Sequence, residues 1–146
     1  MNVLLLVHIL AAITALGANL TYAIWLRAAG ADRDRLIFVI QTVRTLDSRV
    51  ANPAYVMVLL TGIGMVLTGA YSFTTGWVLA AIALYVAVAV IGIAAFAPAM
   101  RRQLAEAERD PASDAYRRAA GRTTALGLLT IALVVVIVFL MVAKPF

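Results

Sequence analysis

Residues 123–143, TTALGLLTIALVVVIVFLMVA, run for 21 residues without a charged side chain. An α-helix rises about 1.5 Å per residue, so about 20 apolar residues cross the roughly 30 Å of hydrocarbon in a bilayer. Three further runs of this kind cover residues 3–26, 53–73 and 77–100. Because lipid offers the backbone no hydrogen-bond partner, each run is predicted to be helical. The sequence therefore predicts an all-α integral membrane four-helix bundle, folded as one transmembrane domain over residues 1–146.

The overall composition agrees with a membrane protein and excludes several other classes. Of the 146 residues, 64% are hydrophobic and only 13% are charged, and the mean hydropathy is +1.00. A disordered chain or an ordinary soluble domain needs far more polar surface than this. The chain has no cysteine and a single histidine, which excludes disulfides, thiolate metal sites and any site built from several histidines of one chain.

The basic residues predict the orientation of the chain. Five of the twelve Lys and Arg residues lie in residues 27–49 and six in residues 101–122, whereas residues 72–76 have none. Cytoplasmic connections carry an excess of Lys and Arg. We therefore expect a bacterial inner-membrane protein with both long connections in the cytoplasm and both termini outside. The net charge of +5 is thus explained by the basic residues that orient the chain in the lipid bilayer. No nucleic-acid partner is expected.

The first long connection contains a second helical pattern. Apolar residues recur there at spacings of three and four, at Leu36, Val39, Val43, Leu46 and Val50. This spacing predicts an amphipathic helix over residues 34–50 with one apolar stripe. Such a helix can lie on the inner membrane surface or pack beneath the bundle, and the sequence leaves both placements open.

Several residues are typical of helix ends and distortions. Asp32 or Asp34 can cap the amphipathic helix, and Ser113 can cap a helix that leads into the fourth span. Asn52-Pro53 is expected to start the second span as N-cap and first helical residue. Pro98 is expected to distort the third span near its cytoplasmic end.

Small residues predict where helices pack closely. In membranes, helices associate through small residues and polar contacts. Gly62 and Gly69 are seven residues apart in the second span and are predicted to share one packing face. Gly17 is a further candidate packing position beside the polar face of the first span.

That polar face contains the candidate site residues His8, Asn19 and Tyr22. Eleven residues turn a helix by about 1100°, so His8 and Asn19 differ by only roughly 20° around the axis, with Asn19 about 16 Å deeper. Alanines lie between them, which predicts a groove with a small-residue floor. His8 can ligate haem iron or a metal, bind another ligand or relay a proton, or simply hydrogen-bond a neighbouring helix. Asn19 is either a helix–helix contact or a ligand contact.

The segment Val7-His8-Ile9-Leu10-Ala11-Ala12, with the Thr-Gly pairs of the second span, Trp77 and Pro98, resembles a bacterial family of four-span integral membrane proteins. That family is similar to copper-resistance-protein-D-like and HemJ-type membrane proteins. HemJ-type proteins are haem-containing oxidases with an essential histidine early in the first span, and the resemblance carries this role to His8 alone. Their intramembrane lysine has no counterpart, since the single lysine, Lys144, is near the C-terminus.

These observations lead to three functional hypotheses. The first is a non-enzymatic membrane protein that binds haem b or another hydrophobic ligand, with His8 as candidate axial ligand and Asn19 and Tyr22 beside it. In this hypothesis, His8 is a metal ligand only through haem or a site shared between subunits of a homo-oligomer. The second is a structural or accessory subunit of a larger membrane complex, and the third is a small transporter.

Overall fold

Four long helices form the structure, and two of them change their hydrogen-bonding pattern once along their length. The computed structural model describes residues 2–145, so Met1 and Phe146 of the predicted domain lie outside the described residues. The α-helical segments are α1 (Asn2–Ala29), α2 (Arg33–Leu46), α3 (Asn52–Leu67), α4 (Gly76–Ile91), α5 (Ala97–Arg109) and α6 (Asp114–Ala143). A π-helical turn joins α2 to α3 and another joins α4 to α5. All four resulting helices are long and apolar enough to cross a membrane, which confirms the predicted fold class.

The first π-helical turn, Asp47–Ala51, shows that Asn52-Pro53 is not a helix start. Asn52 has helical dihedral angles (φ −63°, ψ −46°), and its N–H donates to the carbonyl five residues back, at Asp47. The prediction of an N-cap here was wrong because proline can also be accommodated inside a helix. Its ring would collide with the carbonyl four residues earlier, and a π-helical turn at that place widens the backbone.

The second π-helical turn, Gly92–Phe96, stands in the same relation to Pro98. The N–H of Ala97 donates to the carbonyl of Gly92, again five residues back. The predicted distortion near Pro98 therefore takes the form of a π-helical turn. Both prolines lie two residues beyond the end of their π-helical turn. In both helices, therefore, a π-helical turn precedes the proline and accommodates its ring.

The amphipathic segment α2 is the first half of a long helix that continues into the second span, and not a separate helix. Its N-cap is Asp32, whose carboxylate accepts a hydrogen bond of 2.8 Å from the N–H of Arg35. Its buried residues are Leu36, Val39, Ile40 and Val43. They form one cluster with residues of α1 and α5, including Tyr22, Ala29, Met100, Leu104 and Ala107. The apolar stripe thus packs against the other helices from Leu36 to Leu46, as in the second of the two predicted placements. Its predicted last member, Val50, lies in the π-helical turn and is 38% exposed.

The bundle consists of two helix pairs with a space between them. The transmembrane segment α3 packs along α1, and α4 packs along α6. The pairs meet where α2 packs on α5 and, less extensively, where α1 meets α6. Within residues 2–145, the backbones of α3 and α4 do not come into close contact, so these two consecutive spans diverge and leave room between them.

The two ends of the bundle differ in character. One end holds the turn between α3 and α4, where α3 stops at Leu67, short of the predicted residue 73. The Lys144 ammonium group donates to the Tyr71 hydroxyl there (3.1 Å) and lies 4.9 Å from the centre of its ring. At the other end, a guanidinium nitrogen of Arg33 donates to the backbone carbonyl of Glu108. The arginine-rich connections therefore share one end, and Lys144 lies at the opposite end.

We expect Ile40→Ala to destabilise the bundle, because the Ile40 side chain is fully buried in the cluster that joins the two helix pairs. Deleting a buried isoleucine side chain to alanine costs about 2–5 kcal/mol of unfolding free energy. Denaturant unfolding of the detergent-solubilised protein would measure this loss. Phe38→Ala is the matched control, since Phe38 is 65% exposed on the same helix. Equal losses in the two variants would contradict this description of α2.

Candidate functional site

A cavity of about 590 Å³ fills the space between the two helix pairs. All four long helices line it, in the half of the bundle nearest the arginine-rich connections, and we call it the central cavity. Alkyl and aromatic side chains such as Leu26, Val88, Phe96 and Ile131 make up much of its wall. Asn19, Tyr22, Tyr55 and Tyr85 also line it. The cavity therefore combines a large apolar volume with a few polar groups, the usual character of a small-molecule site.

Three of these polar residues are joined by two hydrogen bonds at the cavity. The Asn19 amide donates a hydrogen bond of 2.5 Å to the Tyr55 hydroxyl, which joins α1 to α3 within one helix pair. The Tyr85 hydroxyl donates a bond of 2.9 Å to the backbone carbonyl of Tyr55, which joins α4 to α3. The second bond therefore connects the two helix pairs across spans whose backbones diverge.

The Tyr22 hydroxyl differs from its neighbours because it has no partner. The residue is only 5% exposed, and its hydroxyl makes no hydrogen bond within residues 2–145. An unpaired buried hydroxyl costs about 1–3 kcal/mol.

The first π-helical turn brings a carboxylate to the same cavity. Asp47 lines its wall and accepts a weak hydrogen bond of 3.5 Å from the Asn52 amide. Burial raises the pKa of Asp47 above its ordinary value, and the hydrogen bond from Asn52 lowers it again in part. The balance favours the neutral acid more than at an exposed aspartate.

His8 lies in the other half of the bundle, where it contacts α3. The Thr61 hydroxyl donates to the backbone carbonyl of Met57 (2.6 Å), so its oxygen is left to accept from His8. The His8 Nδ1–H therefore donates to Thr61 Oγ1 at 2.9 Å, which assigns the tautomer with an unprotonated Nε2. This contact is the helix–helix hydrogen bond that the sequence left open as one role for His8.

The structure separates the three predicted ligand-contacting residues into two groups. Asn19 and Tyr22 line the central cavity, and His8 does not. The predicted floor consists of Ala12 and Ala15. Ala15 is buried where α1 packs along α3, whereas Ala12 is half-buried, so the floor is closed at Ala15. Only the deeper part of the predicted face reaches a cavity.

The predicted glycine contacts need correction at two positions. A Cβ atom at Gly62 would meet Cε1 of His8 at 3.4 Å, so this glycine does lie at a close approach of two helices. Gly17 has no neighbour within 4 Å of such an atom. Gly69 lies beyond the end of α3 with φ +78° and has no such neighbour either. Gly69 therefore serves the turn after the helix, where its left-handed backbone favours glycine.

Sequence reasoning missed Tyr55, Tyr85 and Asp47 as residues of this site. Tyr85 gave a usable signal, because it is a hydroxyl-bearing residue near the middle of an apolar run. Such a group is expected to find a partner inside the bundle. Asp47 gave no such signal, since it precedes Pro53, which the sequence predicts to start the second span.

The fold and the cavity define an integral membrane helix bundle with room for a ligand between its helix pairs. A family model described as "Predicted integral membrane protein (DUF2269)" matches residues 2–145, and the chain belongs to this family. The predicted resemblance to a family of integral membrane proteins is thereby confirmed. No curated protein and no solved structure matches the chain.

We expect Gly62→Leu to weaken the packing of α1 on α3, because the new side chain would push the His8 imidazole away from Thr61. Overpacking of this kind costs about 1–3 kcal/mol. The thermal unfolding midpoint in detergent should fall accordingly. Gly17→Leu is the control with open space around the substituted position, and an equal drop in both variants would argue against the contact.

Proposed function

We propose that this protein binds a lipophilic ligand in the central cavity, with Asn19 and Tyr22 among the contacting residues. The observation that carries the proposal is the central cavity itself, which has a volume of about 590 Å³, a mostly alkyl and aromatic wall, and Asn19 among its few polar residues. Inside hydrocarbon, unpaired polar groups are costly and water is scarce. A ligand with an apolar body and a polar atom near Asn19 would match both kinds of wall.

The size of the cavity supports a ligand larger than water. Small-molecule sites have volumes of roughly 300–1,000 Å³, and the central cavity, at about 590 Å³, lies in this range. A mostly apolar cavity is a poor site for a water cluster, because each water needs about two to four polar partners. An alkyl or isoprenoid chain needs none.

The proposed role is binding and not catalysis. The polar groups that line the cavity are phenols, amides, threonine hydroxyls, one carboxylate and the guanidinium group of Arg101. Within residues 2–145, no three histidine, cysteine, aspartate or glutamate residues form a potential metal site. The proposed location is the bacterial inner membrane, with the arginine-rich end of the bundle in the cytoplasm. The support for this orientation is the unequal distribution of Lys and Arg.

A second candidate function concerns His8 and haem b. Within one chain the residues do not form a haem site, since His8 lies away from the central cavity and within residues 2–145 neither described cavity includes it. The unprotonated Nε2 is nevertheless the form of histidine that ligates iron, and a hydrogen bond on Nδ1 is the usual support of such a ligand. The candidate is therefore a haem held between subunits of a homo-oligomer, with His8 of one copy as axial ligand.

We expect Ala89→Phe to reduce ligand binding, because Ala89 lines the central cavity and a phenyl ring there would occupy part of its volume. Methyl oleate is a suitable neutral probe. Native mass spectrometry of the protein released from detergent should show one bound probe on the wild type and at least about tenfold weaker binding for Ala89→Phe, equivalent to about 1.4 kcal/mol.

Ala83→Phe is the matched control for this experiment. Ala83 lies on the same helix, is exposed, and is outside the cavity wall. This variant should bind methyl oleate as the wild type does. Failure of the wild type to bind the probe, or equal loss in both variants, would refute the proposal.

The haem candidate has its own spectroscopic test. Purified protein titrated with haemin should shift the Soret band of free haemin to that of a histidine-ligated haem if His8 ligates iron between subunits, and His8→Gln should abolish this shift. The variant's oligomeric state must be measured in parallel, so that a loss of assembly is not mistaken for a loss of ligation. An unshifted Soret band with the wild-type oligomer would eliminate this candidate.

A further inference from the structure

A second cavity adjoins the central cavity at the arginine-rich end of the bundle. Its volume is about 450 Å³, and we call it the vestibule. The two cavities share six lining residues, Asp47, Asn52, Phe96, Ala97, Met100 and Arg101. The vestibule adds polar residues of α2 and the first π-helical turn, among them Gln41, Arg44 and Ser48. The shared wall places the polar vestibule directly beside the apolar space of the central cavity.

The vestibule carries two arginines without acidic partners. Arg44 and Arg101 both line it, and within residues 2–145 neither forms a salt bridge. The one carboxylate at this wall, Asp47, has the Asn52 amide as its hydrogen-bond partner. Asp47 can offset one of the two guanidinium charges and leaves the other for an anionic head.

Two guanidinium groups beside an apolar cavity indicate which class of ligand would bind. An arginine binds carboxylate or phosphate through two parallel hydrogen bonds. A ligand with a neutral head would leave both arginines without an anion, and a small free anion would leave the central cavity unfilled. An anionic head on a single apolar chain matches both parts at once.

The depth of the two cavities fits the same ligand. A charge at the centre of a bilayer is expensive, whereas a charge at headgroup level is tolerated. The arginines lie near the ends of their helical segments, and the central cavity extends from there toward the middle of the bundle. The head would therefore stay at the interface while only the chain entered hydrocarbon surroundings.

We propose that the ligand is an anionic amphiphile whose carboxylate or phosphate head is bound by Arg44 and Arg101 in the vestibule, with its apolar chain in the central cavity. The proposal rests on the proposed function and names the class of its ligand. The two guanidinium groups select the head, and the volume beside Tyr22 receives the chain.

The test compares oleic acid with methyl oleate, which share a chain and differ in head charge. At about pH 8 the free fatty acid in solution is ionised. Native mass spectrometry should show that the wild type prefers oleate over the ester by about tenfold. Arg101→Gln and Arg44→Gln should each reduce this preference at least about threefold.

Arg102→Gln is the matched control, since Arg102 is an exposed neighbour that lines neither cavity within residues 2–145. It removes the same charge from the same helix and should keep the preference. An equal effect of Arg102→Gln would mean general surface charge and would overturn the proposal. Equal binding of both probes to the wild type would also overturn it, although the proposed function would stand. Binding of neither probe would refute the proposed function itself.

Competition distinguishes the sources of the anionic head. Displacement of bound oleate by 1-oleoyl lysophosphatidate at lower concentration than by unlabelled fatty acid would support a phospholipid-type ligand. The reverse order would support a fatty acid. Displacement by inorganic phosphate at similar concentration would show that the head binds without the chain and would overturn the proposal.

Discussion

Hydrocarbon gives a polypeptide backbone nothing to bond with, and every other feature of this bundle conforms to that constraint. Each apolar run must satisfy its own N–H and C=O groups, so helices are the only available form. Pro53 and Pro98 each remove one N–H and crowd the carbonyl four residues earlier. Both long helices respond with a π-helical turn just before the proline. The prolines thus change the hydrogen-bonding pattern without interrupting the helix.

The two π-helical turns also help to explain where the cavity lies. Residues of both turns line the central cavity, and so do residues of the helices that follow them. A π-helical turn shifts the faces of the segments before and after it relative to a regular α-helix. The segments α2 and α5 can therefore pack on each other while α3 and α4 diverge. The Tyr85–Tyr55 hydrogen bond spans the resulting gap, and such turns often occur at functional sites.

Composition and periodicity predict the fold and much less of the site. Four apolar runs determine four spans, and capping by Asp32 and Ser113 is confirmed because a side chain that bonds a nearby N–H needs no distant partner. The start at Asn52 was wrong because proline is compatible with both a helix start and a helix interior. The sequence shows where a proline lies. Whether a helix starts there or continues through a π-helical turn depends on how the segments before and after it pack.

His8, Asn19 and Tyr22 were correctly predicted to share one face of the first span. The prediction did not include which helices of the bundle pack against that face. A shared face does not reveal which neighbour covers each part of it. In the structure, α3 covers the outer part, where Thr61 pairs with His8, and the cavity occupies the inner part. Tyr55 and Tyr85 come from other helices, so no pattern within the first span could indicate them. Sites between helices require the pairing of the helices to be known.

Four spans, an even number, bring the start of α1 and the end of α6 to the same face. The Lys144 side chain reaches Tyr71 in the turn between α3 and α4, and Leu4 lies against Gly64 near that same turn. A duplicated copy fused to the C-terminus would therefore begin on the face where the first copy ends. The tandem protein would be a parallel repeat about an axis along the membrane normal, not the inverted repeat on which many transporters are built.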